Sequence, residues 1–112
     1  MRLVVIESPF AGDRVRNLRY LRACMRDCLL RGEAPYASHA LYTQDGVLDD
    51  DVAEQRALGI AAGFAWRRRA EMTCFYVDLG WSNGMMGAKS EAVRDGLAFE
   101  ERTLADWEGE VV

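Results

Sequence analysis

The sequence predicts an α/β domain of three layers, Rossmann-like, built on a short, mainly parallel sheet of about four strands. Three observations predict it. Leu3 to Ile6 form a short apolar run, as a strand buried on both faces would. Thr73 to Leu79 form a second run, containing the β-formers Thr73, Phe75, Tyr76 and Val77. Between and after these runs the periodicity turns helical, so strands and helices alternate along the chain. At 112 residues, half of them apolar, the chain suits one domain over 1–112 with a real core, and not two.

Taken in order, the first strand stops at ESPFAGD, where Pro9 removes a donor and Gly12 frees the backbone. Leu18, Leu21, Met25, Cys28 and Leu29 then recur at three and four residues, the face of a helix that Gly32 ends. Alternation around His39 to Tyr42 suggests a second short strand, and Asp45-Gly46 a turn. Asp51 and Glu54 have capping-box spacing ahead of a helix expected from Val52 to Arg67. Gly59 and Gly63 lie four apart inside it and permit close packing against a neighbouring element. After the central strand, Ser82 or Asn83 should cap a third helix from Gly84 to Gly96. Ala98 to Glu101 suit a final strand. The acidic remainder from Leu104 reads as a tail tied down by Trp107.

Composition narrows the function. A formal net charge of -4 argues against polynucleotide binding, which depends on neutralising phosphates. Arg67, Arg68 and Arg69 are the only dense basic run and read as a solvated helix end. Cys24, Cys28 and Cys74 are odd in number and lack a CxxC pair, so buried free thiols in a reducing compartment are expected. With His39 the only histidine, no metal is expected, and no cofactor. MRLVVIESPF is too short for a signal peptide, and no apolar stretch approaches the roughly 18 residues of a membrane span. The expected location is the cytoplasm, or a host cytoplasm for a viral gene.

Ligands of such folds bind beyond the carboxyl ends of the strands. That directs attention to two loops, near Glu7 to Gly12 and Asp78 to Gly87. No GxGxxG, Walker A or HExxH motif is present. A triad drawn from Ser8 or Ser38 with His39 and Asp78 lacks the GxSxG elbow. Glu7 follows the first strand and is the candidate acid, base or nucleophile; Arg102 and Arg14 are candidates to pair with it. Ser8, Pro9, Phe10 and Gly12 form a turn able to face a phosphate or ribose. Asp78 can accept sugar hydroxyls or cap a helix. Ser82, Asn83 and Gly84 set backbone donors at a helix N-terminus. His39 can hydrogen-bond a ligand, and Trp81 is the best stacking candidate.

The words ESPFAGD (7–13), RGEAPYASH (31–39), YTQDGVLDD (42–50) and DLGWSNGM (78–85) resemble those of a family of small uncharacterised bacterial and phage proteins. More distantly, the chain is similar to nucleoside 2-deoxyribosyltransferases and nucleoside 5'-monophosphate N-glycosidases. That likeness matches Ser8 to Gly12 to their sugar or base loop, and Asp78 with Ser82-Asn83-Gly84 to their acid and Ser-x-Gly turn. Ala92 and Gly96 match later helix positions. The nucleophilic glutamate of those enzymes falls on Ala88, which can neither attack an anomeric carbon nor hold a proton. Glu91 is three residues on, about 300° around a helix, and Glu7 offers a carboxylate from the sheet.

The resemblance implies a nucleoside- or nucleotide-binding domain. Glu7 or Glu91 would be the catalytic carboxylate if the domain hydrolyses or transfers N-glycosidic bonds. A structural or protein-interaction module is the remaining class. The related enzymes also imply a homodimer in which a neighbour completes the pocket.

Overall fold

A computed structural model describes residues 1–105 and Trp107. Its strands are β1 (Arg2–Glu7), β2 (Glu33–Tyr36), β3 (Met72–Tyr76) and β4 (Phe99–Arg102). Its helices are α1 (Arg14–Leu30), α2 (Ser38–Leu41), α3 (Ala53–Arg69) and α4 (Asn83–Asp95). The strands form one sheet in the order β2-β1-β3-β4, every pair parallel. The architecture is the expected Rossmann-like α/β fold. No helix among the described residues is long and apolar enough to cross a membrane.

Side chains alternate across a strand, and here the alternation sorts the two faces. Val4, Ile6, Cys74 and Tyr76 pack with Tyr20, Leu21, Cys24 and Cys28 of α1. Phe75 faces the other way, onto Met85 and Ala88 of α4. Arg67 of α3 reaches both Glu7 and Glu91, which puts α3 beside α4 on that second face. The three layers are therefore α1, the sheet, and α3 with α4. All three cysteines are buried free thiols.

The order also sets where a cleft can open. From β1 the chain moves outward to β2, and from β3 outward in the opposite direction to β4. The loops after β1 and β3 thus diverge at adjacent strands, and the gap between their carboxyl ends is the switch point at which such sheets bind ligands.

Local signals explain most boundaries. Asp13 caps α1 by accepting from the Arg16 N–H at 3.1 Å, and Gly32 follows its end at φ +82°. Ser82 caps α4 by accepting from the Met85 N–H at 3.2 Å, and Gly96 closes it in the left-handed region. Both α4 ends match the sequence reading. Trp107 packs edge-on against Tyr20 at 5.1 Å; apart from Trp107, the tail beyond Ala105 lies outside the described residues.

Four expectations are corrected. The second strand is Glu33–Tyr36, and His39 instead lies in the single-turn helix α2. Pro35 is tolerated because β2 is an edge strand. Asp51 does not cap α3, whose N-cap Val52 makes no side-chain bond; Asp51 instead pairs with Arg14 at 2.9 Å. The buried stripe of α1 runs through Tyr20 and Cys24, leaving Leu29 52% exposed. Arg67 is not a solvated helix end: its side chain is 4% exposed.

A polar cluster lies within the α1 face. Arg102 donates to both carboxylate oxygens of Glu33 at 2.7 Å, to Tyr76 Oη at 3.2 Å and to Glu100 at 2.8 Å. This joins β4, β3 and β2 across β1. Hydrogen bonding from Arg102, against the opposing cost of burial, holds the Glu33 carboxyl below the usual range. Removing one partner of a buried pair strands the other charge, at about 3–5 kcal/mol. Arg102→Leu should therefore lower stability by about that amount, and Glu33→Leu with Arg102→Leu should recover much of it. Urea unfolding of wild type and the two variants decides; a double variant no better than Arg102→Leu would refute the account.

Candidate functional site

A cavity of about 550 Å³ opens at the switch point, within the size range of small-molecule sites. Its floor carries Glu7, the last residue of β1, with Ser8 beside it. Phe10 and Ala11 come from the β1–α1 loop, and Ser38, His39, Tyr42 and Thr43 from α2 and its exit. Gly59, Ile60, Phe64 and Arg67 of α3 form one wall, and Ser82, Asn83, Gly84 and Ala88 at the start of α4 another. The lining is mainly apolar with a few converging polar groups.

The charged centre is a triad. Arg67 donates through Nη1 to Glu7 Oε2 at 3.1 Å and through Nη2 to Glu91 Oε1 at 3.2 Å. Arg67 and Glu91 side chains are each 4% exposed, and Glu7 is 13% exposed. The guanidinium also lies 4.5 Å from the Phe64 ring centroid, a cation–π contact. Its Nε is buried without a hydrogen-bond partner. Burial pushes the Glu7 carboxyl up to about 7; the Arg67 charge and hydrogen bond pull it back, and the Glu91 charge adds to the rise. At neutral pH Glu7 is therefore divided between donor and acceptor forms, the condition for acid–base work.

Ser8 Oγ and His39 Nε2 are hydrogen-bonded at 2.9 Å in the same wall. The Phe10 ring meets the imidazole edge-on at 6.2 Å. Burial lowers the His39 pKa to about 4, so the ring is neutral at physiological pH. Gly63 makes this wall possible. A Cβ there would lie 2.9 Å from Ser38 Oγ, so glycine lets α2 approach this closely without displacing the Ser38 side chain. At Gly59 a Cβ would meet Leu48 at 3.4 Å. Gly63 is the packing residue of the two; the contact at Gly59 is an ordinary one.

The N-terminus of α4 faces the cavity with Asn83 and Gly84. Its first turn has no acidic residue, so the partial positive charge of the helix end is left uncompensated by a carboxylate there.

Of the residues singled out from sequence, Glu7, Ser8, Phe10, His39, Ser82, Asn83 and Gly84 line the cavity together. Pro9, Gly12, Asp78, Trp81 and Glu91 do not. Asp78 accepts from Tyr20 Oη and the Leu104 N–H, on the α1 side where strand parity sends it. Trp81 packs on Phe75 at 5.1 Å, with Lys89 Nζ 5.1 Å from its ring. Glu91 stands behind Arg67. The partner of Glu7 is Arg67, not Arg102 or Arg14, which bind Glu33 and Asp51. Sequence reasoning missed Arg67, Ile60 and Phe64. The available signal was the repeat Gly59, Gly63, Arg67 at four-residue spacing, which aligns the arginine with the face brought close by the glycines.

Residues 2–102 match the model of a domain family described as Domain of unknown function (DUF7768), and the chain belongs to that family. No curated protein and no solved structure matches it.

The two shifted groups make opposite contributions to stability. The folded Glu7 keeps a proton that the unfolded chain releases between about pH 4.5 and 7, so its contribution falls as pH rises through that window. The folded His39 excludes a proton that the unfolded chain binds between about pH 4 and 6.5, so its contribution rises with pH. From pH 4.5 to 6.5 they oppose one another. Relative to wild type, Glu7→Gln should gain stability more steeply with pH across this range, and His39→Gln less steeply. Urea midpoints measured as a pH series test both slopes; an unchanged slope in Glu7→Gln would remove the buried, proton-holding carboxyl.

Proposed function

We propose that the cavity binds a nucleoside or nucleotide. The observation that carries the reading is the Glu7 carboxyl, set at the end of β1 on the floor of an apolar-walled cavity and backed by Arg67. A carboxyl at that point accepts hydrogen bonds from sugar hydroxyls when ionised. The Phe10, Tyr42 and Phe64 rings and Ile60 supply the apolar and aromatic surface a base requires. The open N-terminus of α4 suits a phosphate when one is present. The likeness to nucleoside 2-deoxyribosyltransferases and nucleoside 5'-monophosphate N-glycosidases supports the same ligand class through Ser8 and the Ser82-Asn83-Gly84 turn.

Asp78 takes no part in this reading. It is engaged by Tyr20 and Leu104 away from the cavity. Ala88, at the position of the related nucleophile, is part of the wall. A covalent sugar adduct therefore has no carboxylate to form on at that position.

The raised pKa of Glu7 favours one second reading, hydrolysis of the N-glycosidic bond. Protonated Glu7 would deliver its proton to the departing base. Ionised Glu7 would instead stabilise positive charge on the sugar or activate water. Glu91 would act only through Arg67, as a positioning residue.

A panel of nucleosides and 5'-monophosphates distinguishes these readings. Thermal shift and calorimetry should detect binding that Glu7→Gln weakens about tenfold or more, the loss of one charge-assisted hydrogen bond. Asp78→Asn should leave affinity unchanged while lowering stability. Chromatography should find no base transfer between nucleosides through a trapped adduct. Free base released by wild type and abolished in Glu7→Gln would establish the hydrolase. Absence of both binding and release across the panel would overturn the ligand class.

A further inference from the structure

The outward side of α3 carries a surface that the cavity does not use. We propose that it seats a second copy of this chain, with the two α3 helices packed antiparallel about a twofold axis at Ala61.

α3 is 17 residues long, yet only Gly63 and Arg67 of it are buried. On its far side Ala57, Leu58, Ala61 and Ala65 face solvent, Leu58 being 63% exposed. A shallow groove runs along Ala61, Phe64, Ala65, Arg68 and Arg69. A helix with apolar residues on the side away from its own core has a second surface to cover. Residues three and four apart share a face, so Ala57, Ala61, Ala65 and Arg68 follow one ridge. Small side chains on that ridge allow two helix axes to approach to about 8 Å.

Charge identifies the occupant. Glu54 stands in the first turn of α3, and Arg68 and Arg69 in the last. A twofold axis at Ala61 places position 54 of one copy opposite position 68 of the other, and 57 opposite 65. Each Glu54 then meets Arg68 of the partner subunit, and the alanines meet between the two charged rims. Such a surface is self-complementary, as an isologous interface requires. Antiparallel packing also sets the positive end of each helix beside the negative end of its mate. A parallel pair would set glutamate against glutamate and arginine against arginine. Within its own chain Arg68 lies 3.5 Å from Asp95, but its side chain is 60% exposed. An exposed pair of that kind is weak and leaves the guanidinium available at the rim.

The assembly bears on the cavity without depending on its ligand. Ile60 and Phe64, which wall the cavity, belong to the same helix. A second α3 would brace that wall from outside.

The test is a symmetric crosslink in the full chain. The three native cysteines are buried, so Ala61→Cys introduces an exposed thiol at the axis, where it would meet its own copy. Mild oxidation should give a disulfide-linked dimer on a non-reducing gel. Val15→Cys, on α1 at a residue that is 74% exposed, should not. Sedimentation of wild type should show a dimer. Glu54→Arg should weaken that dimer about tenfold at low ionic strength and less at high, with circular dichroism confirming the fold. A wild type that remains monomeric at high concentration would overturn the proposal. So would a dimer in which Ala61→Cys crosslinks no faster than Val15→Cys, since another surface would then hold the copies together.

Discussion

Arg67 is the side chain on which one face of the sheet converges. It leaves α3 through a turn otherwise rich in solvated arginines, passes the Phe64 ring, and ends between a carboxylate from β1 and one from α4. Buried ions persist only when paired. Without the guanidinium, Glu7 and Glu91 would be like charges facing one another in a low-dielectric space. With it, three elements distant in sequence are tied at one point. One positive charge serves two acids, however, and its compensation is incomplete. Burial raises the Glu7 pKa against the pull of Arg67, and the Glu91 charge adds to the rise. Burial between the layers and the opposing pull of Arg67 together leave the Glu7 carboxyl near neutrality at the cavity.

The two faces of the sheet handle their polar residues differently. On the α1 side, Arg102 meets Glu33 through both carboxylate oxygens and adds Tyr76 and Glu100. α1 covers that cluster with Cys28 and Asp27, the latter accepting from Tyr76 Oη at 2.7 Å. On the other side α3 and α4 leave a cavity beside the triad. Strand parity decides which side each acid joins. Glu7 has the parity of Val5 and faces the cavity; Asp78 continues the parity of Cys74 and Tyr76 and turns to Tyr20. Two carboxylates at the ends of adjacent strands therefore serve different layers, although both leave the sheet at the same edge.

That division explains what was legible in the sequence. β1, β3 and α4 were legible because continuous apolar runs and a Ser-to-Gly capped helix are local signals. The meeting of the Ser8 and Ser82 loops followed from the rule for parallel sheets. β2 was not legible: it is four residues long, contains Pro35, and is held by the distant Arg102 through Glu33. Its place was misread as His39 to Tyr42 because one turn of helix and a short alternating strand look alike over four residues. Arg67 was hidden for a related reason. Neighbouring arginines suggest a solvated patch, and only tertiary packing distinguishes the one that turns inward. Asp78 was assigned to the cavity by its position after a strand, whereas its direction depends on counting parity through residues that turn out to be buried.

The same electrostatics links Ala88 to Glu7. Ala88 is 3% exposed and belongs to the cavity wall. A glutamate there would bring a further carboxylate to the cavity that Glu7 already lines. Arg67 is already shared by Glu7 and Glu91, and Arg56, which also lines the cavity, lies 3.7 Å from Asp50. A like charge there would raise the Glu7 pKa further. A carboxylate offered from the helix and one offered from the strand are thus competing solutions for the same space. In this chain Glu7 lines the cavity from the strand and Ala88 lines it from the helix. A group projecting from a strand end buried between layers is less adjustable than one on an exposed helix turn. It is fixed by β1 pairing with β3 at Glu7 and Phe75 and by the bond to Arg67. The Glu7 carboxyl thus has its position set by the sheet and its proton retained by burial, against the pull of the guanidinium beside it.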